Sequence, residues 1–337
     1  MSSKPSAILV TGGAGYIGSH TVRLLAEAGE KIVVLDTLEL GHRDSLISES
    51  VELVVGDLAD AAVVEGIFER FEINAVLHFA AYALVGESVS EPLKYYRNNT
   101  AAPIVLLEAM RKYGARNFIF SSTCATYGNP QFIPMDETHP QNPINPYGMS
   151  KLMLERVLQD SSHAYGIRHV ILRYFNASGC SPDHLIGEDH IPESHLIPRT
   201  LMSVTGEAPQ LTVFGTDYPT PDGTCIRDYI HVLDLAEAHR LALVYLRGGG
   251  ESNSCNLSTG KGVSVKEIIT LAEEVTGQKV PVEYGPRREG DPPELVGNPA
   301  KAKELLGWEA QYRDPRVMVK NAWAWLTGPR KGRYPAN

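Results

Sequence analysis

Short apolar runs alternate along the first half of the chain with longer stretches in which apolar positions recur every three or four residues. Ala7–Val10, Lys31–Asp36, Val51–Asp57, Ala75–Ala80, Asn117–Ser122 and His169–Asn176 are rich in β-branched residues and nearly continuously apolar. That is the pattern of strands buried on both faces. Between them Ile17–Ala28, Thr100–Tyr113 and Tyr147–Tyr165 space Leu, Val, Ala and Met at helical intervals, supplying the crossovers that parallel strands require. The alternation predicts an α/β fold with a doubly wound parallel sheet.

After Asn176 the rhythm breaks. Ser178–Asp228 is punctuated by Pro182, Pro192, Pro198, Pro209, Pro219 and Pro221, which predicts loops and short elements of a second, smaller α/β lobe. Helical spacing resumes over Asp234–Leu246 and Val265–Val275, the latter opened by Ser264 and Glu267 in capping-box spacing. The expected division is a first domain over 1–176, to which the chain returns around 228–260, and a mainly substrate-binding domain over 177–337.

Composition narrows the function classes. Of 337 residues 43% are hydrophobic and 21% charged, with a net charge of −9 and no basic cluster, so nucleic acid is not an expected partner. Cys124, Cys180, Cys225 and Cys255 are scattered, with no metal-finger spacing, so neither a disulfide framework nor a bound metal is expected. No apolar run is long enough to span a membrane and no secretion signal is visible, so a cytoplasmic location is expected.

Directly after the first predicted strand comes Thr11-Gly12-Gly13-Ala14-Gly15-Tyr16-Ile17-Gly18, a GxxGxxG loop opening a helix. Glycines there let backbone N–H groups approach a pyrophosphate at the helix N-terminus. The second strand ends at Asp36, where a carboxylate accepts from ribose hydroxyls and repels a 2′-phosphate, favouring NAD over NADP. Strand, glycine loop, helix and acid in that order predict a Rossmann-type dinucleotide site. Asp57 and Leu58 close the third predicted strand beside the adenine, and Phe79, Ala80 and Ala81 bring backbone to the cofactor after the fourth.

Tyr147 and Lys151 are four residues apart on one helix face. A free phenol, with a pKa of about 10, is a poor base at neutral pH; a neighbouring ammonium and a cationic nicotinamide favour its phenolate. The fifth predicted strand delivers Ser121, Ser122 and Thr123 to the sheet edge where ligands bind in such folds. Thr123 is the hydroxyl placed to relay a proton.

GxxGxxG, the Ser/Thr strand end and YxxxK together resemble the extended short-chain dehydrogenase/reductases. Finer matches resemble the UDP-glucose 4-epimerase branch over essentially the whole chain: Thr11–Thr21, His78–Ser88, Asn117–Gly128, Pro146–Lys151, Arg173–Asn176, Tyr218–Val232 and Arg287–Asp291. The resemblance implies that Tyr147 is the acid/base, that Lys151 binds the nicotinamide ribose, and that Thr123 hydrogen-bonds the sugar O4. It implies cofactor contacts from Gly12, Gly15, Tyr16, Ile17, Gly18, Asp36, Asp57, Leu58, Phe79, Ala80, Ala81, Asn98, Ser121 and Tyr174. Nucleotide-sugar contacts would come from Asn176, Leu196, Phe214, Arg227, Arg288 and Asp291. Two arginines suit a diphosphate and an aromatic suits a uracil face. The implied reaction is proton removal from the sugar 4-OH with hydride transfer from C4 to NAD, rotation of the 4-ketosugar, and return of hydride to its other face. A homodimer pairing Thr100–Tyr113 with Tyr147–Tyr165 is also implied.

The chain departs from the family pattern in places. A lysine frequent in the segment before Val85-Gly86-Glu87-Ser88 is replaced by Ala83, Glu39 stands where a small polar residue is usual, and Cys124-Ala125 follow Thr123. An acid pair after Thr123 would be wanted for a 4,6-dehydratase, which Cys124-Ala125 disfavours. The same motifs also suit a 4-epimerase of UDP-xylose/UDP-arabinose or of UDP-N-acetylhexosamines, or a non-catalytic NAD sensor. Leu295 occupies the family's gate position beside the sugar C2 substituent; being branched, it predicts preference for UDP-glucose and UDP-galactose over N-acetylated sugars.

Overall fold

The computed structural model describes residues 4–288 and 290–335; Glu289, within the stretch Arg287–Asp291, lies outside them. In chain order the first elements are β1 (Ser6–Thr11), α1 (Tyr16–Glu27), β2 (Ile32–Asp36), β3 (Val51–Val55), α2 (Ala61–Arg70) and β4 (Glu72–His78). Then come α3 (Val85–Ser90), α4 (Pro92–Tyr96), α5 (Ala102–Tyr113), β5 (Asn117–Thr123), α6 (Pro146–Tyr165), β6 (Arg168–Tyr174) and β7 (Asn176–Ser178). The remainder is α7 (Leu196–Thr205), β8 (Leu211–Phe214), β9 (Ile226–His231), α8 (Val232–Arg247), β10 (Asn253–Leu257), β11 (Gly262–Ser264), α9 (Val265–Thr276), β12 (Val282–Gly285), β13 (Glu294–Leu295), α10 (Ala300–Leu306) and α11 (Pro315–Thr327).

Seven parallel strands form the main sheet in the order β10-β6-β5-β4-β1-β2-β3. The order reverses between β1 and β4, the switch point at which ligands bind in open α/β sheets. Strand periodicity explains why each run is apolar throughout. Ala7, Leu9, Val33 and Leu35 enter one core with α2, α5 and α6, whereas Ile8, Val10, Ile32 and Val34 enter the opposite core with α1, α8 and Trp308. Alternate side chains therefore face opposite buried layers.

β9 is the hub of a smaller sheet, with β11 antiparallel to it and β13 and β7 parallel, and β8 and β12 form a separate parallel pair. Their core is covered by α7, α9 and α11. The expected capping box holds α9: the Ser264 side chain accepts from the Glu267 N–H, and the Glu267 carboxylate accepts from the Ser264 N–H. Among the described residues no helix is long and apolar enough to cross a membrane.

Several boundaries differ from the sequence reading. The run Val51–Asp57 ends as a strand at Val55: Gly56 N–H gives the last ladder bond, to the Asp36 carbonyl, and Asp57 then opens a turn closed by Asp60 N–H on its carbonyl. The run His169–Asn176 is two strands: the chain leaves the main sheet at Phe175, and Asn176 pairs with Tyr229 in the smaller sheet. A wide helical turn over Arg97–Ala101 precedes α5. Helix α2 had no counterpart in the sequence reading, although Val64, Ile67 and Phe68 are buried at helical spacing and Asp60 caps it by accepting from Ala62 N–H and Val63 N–H.

Candidate functional site

The loop from β1 to α1 is built for close backbone approach. Gly12 has φ of 70°, and a Cβ there would stand 2.4 Å from the Ala80 nitrogen, so the glycine loop and the segment after β4 touch through backbone alone. At Gly18 a Cβ would meet the Gly12 carbonyl at 2.2 Å, which lets helix α1 seat against the loop. The α1 N-terminus has no side-chain cap, leaving its first-turn donors for an anion. Asp36 accepts from Ala14 N–H at 3.0 Å and from Leu38 N–H at 2.9 Å. Burial raises its carboxyl above the ordinary value, these two backbone donors opposing. The cradle and its buried acid fit a dinucleotide with a free ribose diol.

Other sequence-predicted cofactor residues are spread along the same strand ends. Asp57 is exposed and accepts from Ala59 N–H at 2.8 Å, capping its own turn, while Leu58 is buried in the α2 core. The Phe79 ring lies 4.5 Å from His239 of α8 with the two planes tilted by 37°, and Ile17 packs in that same layer. The Tyr16 phenol donates to the Gly179 carbonyl at 2.5 Å, so its side chain turns toward the second lobe. Asn98 donates to Asn99, and it is Asn99, fully buried, that ties the Tyr82 backbone to Ser150 of α6. One of the family departures finds a partner here: Tyr82, next to Ala83, donates to Glu39 at 2.6 Å beneath the Lys94 ammonium, 4.0 Å from the ring centroid.

At the C-terminal end of β5 the proton-handling groups converge. Lys151 donates to the Ser121 carbonyl at 3.0 Å, and the Ser121 hydroxyl lies 2.9 Å from the Tyr174 phenol. Burial pulls Lys151 down to about 7, with Glu155 opposing. Burial drives the Tyr147 phenol well above its ordinary value, and neighbouring Tyr174 adds to this, while the Thr123 hydroxyl opposes the shift and favours the phenolate. Thr123 also accepts from Ala125 N–H at 3.1 Å.

Behind these groups lies a network that the sequence reading missed. Glu155, one further turn along α6 from Lys151, takes a bidentate pair from Arg173 of β6 at 2.7 and 3.1 Å. It also accepts from Ser122 at 2.6 Å and from Gln141 at 2.8 Å. The third Arg173 contact reaches the Tyr127 hydroxyl at 3.0 Å. Its sequence signal was the spacing Tyr147, Lys151, Glu155.

The smaller sheet assembles the nucleotide-sugar candidates. Arg227 on β9 pairs with Asp291 at 2.5 Å and is in register with Leu295 on β13. The Arg288 guanidinium lies 4.5 Å from the centroid of Phe214, a half-exposed ring at the end of β8. Leu295 and Cys124 both pack on Tyr127, Met135 and Phe175. Burial pushes the Cys124 thiol up to about 12, the Arg227 charge opposing; Leu295, in register with Arg227, packs in the same cluster as Cys124, the residue after Thr123. The neighbouring Asp228 is not a surface partner of Arg227. It is buried and accepts from the Thr259 hydroxyl, from Thr259 N–H and from Gly260 N–H. Asn176 lies on β7, and Leu196 opens α7 against the second-lobe core.

Residues 8–258 match the model of the NAD dependent epimerase/dehydratase family. A UDP-glucose 4-epimerase of Streptococcus mutans is 51% identical over 328 residues, covering 97% of this chain and 98% of its own. The crystal structure of UDP-glucose 4-epimerase from Brucella ovis in complex with NAD superposes with a TM-score of 0.92 at 50% identity, covering 95% of this chain and 97% of the other. That of the Bifidobacterium longum enzyme in complex with NAD+ and UDP gives 0.92 at 36% identity, covering 97% and 100%.

Proposed function

The chain belongs to the NAD dependent epimerase/dehydratase family, and from that premise we infer that it is an NAD-dependent isomerase interconverting UDP-glucose and UDP-galactose at C4. Relatives of that activity matching nearly end to end support the reading. The structural observation that carries it is the convergence at the C-terminal end of β5 of buried Thr123 and Tyr147 with Lys151 anchored on the Ser121 carbonyl, beside the cluster in which Cys124 packs with Leu295, the strand partner of Arg227. Proton handling thus adjoins a cationic, aromatic patch suited to a nucleoside diphosphate.

NAD, when held by the glycine loop and Asp36, would supply reversible hydride chemistry at the sugar C4. Tyr147 takes the 4-OH proton and later returns it, oriented by Thr123. Lys151, anchored on the Ser121 carbonyl, holds the cofactor ribose and in its ammonium form favours the phenolate. Arg227 and Arg288 hold the diphosphate and Phe214 the uracil face, while Asn176, Leu196 and Asp291 bound the same pocket. The 4-ketosugar, held through its nucleotide end, turns over and presents its second face. The first domain, expected over 1–176 with a return around 228–260 and built on the main sheet up to Tyr174 and again through α8 and β10, carries the cofactor, and the rest of 177–337 the nucleotide sugar.

Exposed Ile104 on α5 and Met153 on α6 support a homodimer through these helices, checked by sedimentation at low concentration. Free thiols at all four cysteines suit a reducing cytoplasm. The test of activity is direct: the purified protein mixed with UDP-galactose yields UDP-glucose without stoichiometric NADH. Accumulation of free NADH in proportion to sugar converted refutes the epimerase reading in favour of a dehydrogenase.

A further inference from the structure

Between β7 and α7 the chain reads Glu188-Asp189-His190-Ile191-Pro192-Glu193-Ser194-His195, in which Glu-x-His occurs twice. The loop folds so that both copies face one point. The ligand atoms of Glu188, His190, Glu193 and His195 all lie within 4.8 Å of one another. His190 Nδ1 stands 3.1 Å from Glu188 Oε1 and 3.7 Å from Glu193 Oε2. His195 Nδ1 stands 2.8 Å from Glu188 Oε1 and 3.0 Å from Glu193 Oε1. A tetrahedral ion with ligands at about 2.1 Å spaces them about 3.4 Å apart, and the four observed separations fall on both sides of that value.

We propose that these four side chains form a structural site for a divalent transition-metal cation of the zinc class. Two imidazole nitrogens and two carboxylate oxygens are a donor set that zinc accepts, and four protein ligands leave no open position for catalysis. The carboxylates are the buried half, 8% and 6% exposed, and the imidazoles, 30% and 42% exposed, form the entrance. Two buried anions need two positive charges. A divalent cation bound by the two carboxylates and two neutral imidazoles supplies both.

The surroundings are organised as a metal site requires. Glu193 Oε1 also accepts from Ser194 N–H at 2.6 Å and His195 N–H at 2.7 Å, which orients the carboxylate. The Glu188 carbonyl accepts from the Trp325 indole of α11 at 2.8 Å, and the His190 ring stands edge-on to Tyr16 at 6.3 Å. His195 is the N-cap residue of α7, immediately before Leu196. A cation here ties the start of α7 and the nucleotide-sugar lobe to the glycine-loop helix.

The test uses the full chain with NAD retained, stripped of metal by chelator and titrated with cobalt(II) and then zinc(II). The expected result is one equivalent of cobalt with the visible absorption of four-coordinate geometry, displaced by one equivalent of zinc. His190→Ala and His195→Ala should each weaken zinc uptake on the order of 100-fold or more, since loss of outer partners alone costs 10–100-fold. Asp189→Asn should leave it unchanged, because that carboxylate bonds instead to Tyr334 N–H. Failure of the stripped protein to take up zinc at micromolar concentration, or equal uptake by the histidine variants, overturns the proposal. Should those variants fail to fold, the wild-type cobalt spectrum decides, an octahedral spectrum overturning the site. None of these readouts depends on epimerase turnover.

Discussion

Replacing Glu155 by glutamine removes the carboxylate that pairs with Arg173 across the α6–β6 contact, and the loss should be large. The two side chains are 0% and 4% exposed and joined by two hydrogen bonds. A glutamine in that place points its NH2 group at donors, because Arg173 and Gln141 both give hydrogen bonds to Glu155 Oε2. Breaking a buried ion pair by deleting one partner costs about 3–5 kcal/mol, since the remaining charge is stranded out of water. At about 2 °C per kcal/mol for a chain of this size, the melting temperature should fall by roughly 6–10 °C. The double variant Glu155→Met/Arg173→Leu buries no charge and should regain more than half of that loss.

The same substitution reports on the active site. Burial lowers Lys151 to about 7 and the Glu155 charge holds it from falling further. Its removal disfavours the ammonium, so the alkaline limb of the pH–rate profile should move to lower pH in Glu155→Gln. Scanning calorimetry of the NAD-loaded protein and a pH profile of turnover are the two assays. If the single variants melt within about 2 °C of wild type and their effects simply add in the double, Arg173 is not desolvated and the reasoning fails. A profile that keeps its alkaline limb refutes the electrostatic link from Glu155 to Lys151.

Tyr147→Phe should keep NAD content while cutting turnover about 10²–10⁴-fold, and Thr123→Val should cost less because it removes an orienting bond; wild-type turnover in Tyr147→Phe would assign the base elsewhere. Leu295→Ser, which opens space beside Cys124 and Phe175, should raise kcat/KM for UDP-N-acetylglucosamine relative to UDP-glucose, and an unchanged ratio would remove Leu295 from sugar selection. Burial lifts Asp228 to about 6, above the ordinary carboxyl near 4, so the folded state binds a proton that the unfolded chain has lost. That contribution is full below about pH 4 and falls away by about 3 kcal/mol as pH rises through 6; denaturation curves of Asp228→Asn against wild type over this range should lack that slope, and an equal slope would show Asp228 to be ionised throughout.

The main sheet, the glycine loop and the Tyr147–Lys151 pair were legible because each is written in local spacing. Alternate residues of a doubly covered strand must both be apolar, a loop approached by backbone must lack Cβ atoms, and two side chains four apart share a helix face whatever surrounds them. Boundaries were less legible where the signal was weak or shared. Helix α2 is short and its start depends on the Asp60 cap, and the apolar run across Phe175 gives no sign that hydrogen bonding passes there from one sheet to another.

What tertiary structure alone decided is which distant residues share a place. The ion pair of Arg227 with Asp291 needs the short β13 to lie beside β9. The contact of Tyr82 with Glu39 joins loops after two different strands. In the Glu188–His195 segment, the residue types were visible in sequence, but a loop has no fixed period, so only its folded path brings both Glu-x-His copies to one point. Local periodicity carries information about one element's face; the desolvation, charge pairing and ligand geometry that make a site depend on elements meeting, and a linear pattern does not encode that meeting.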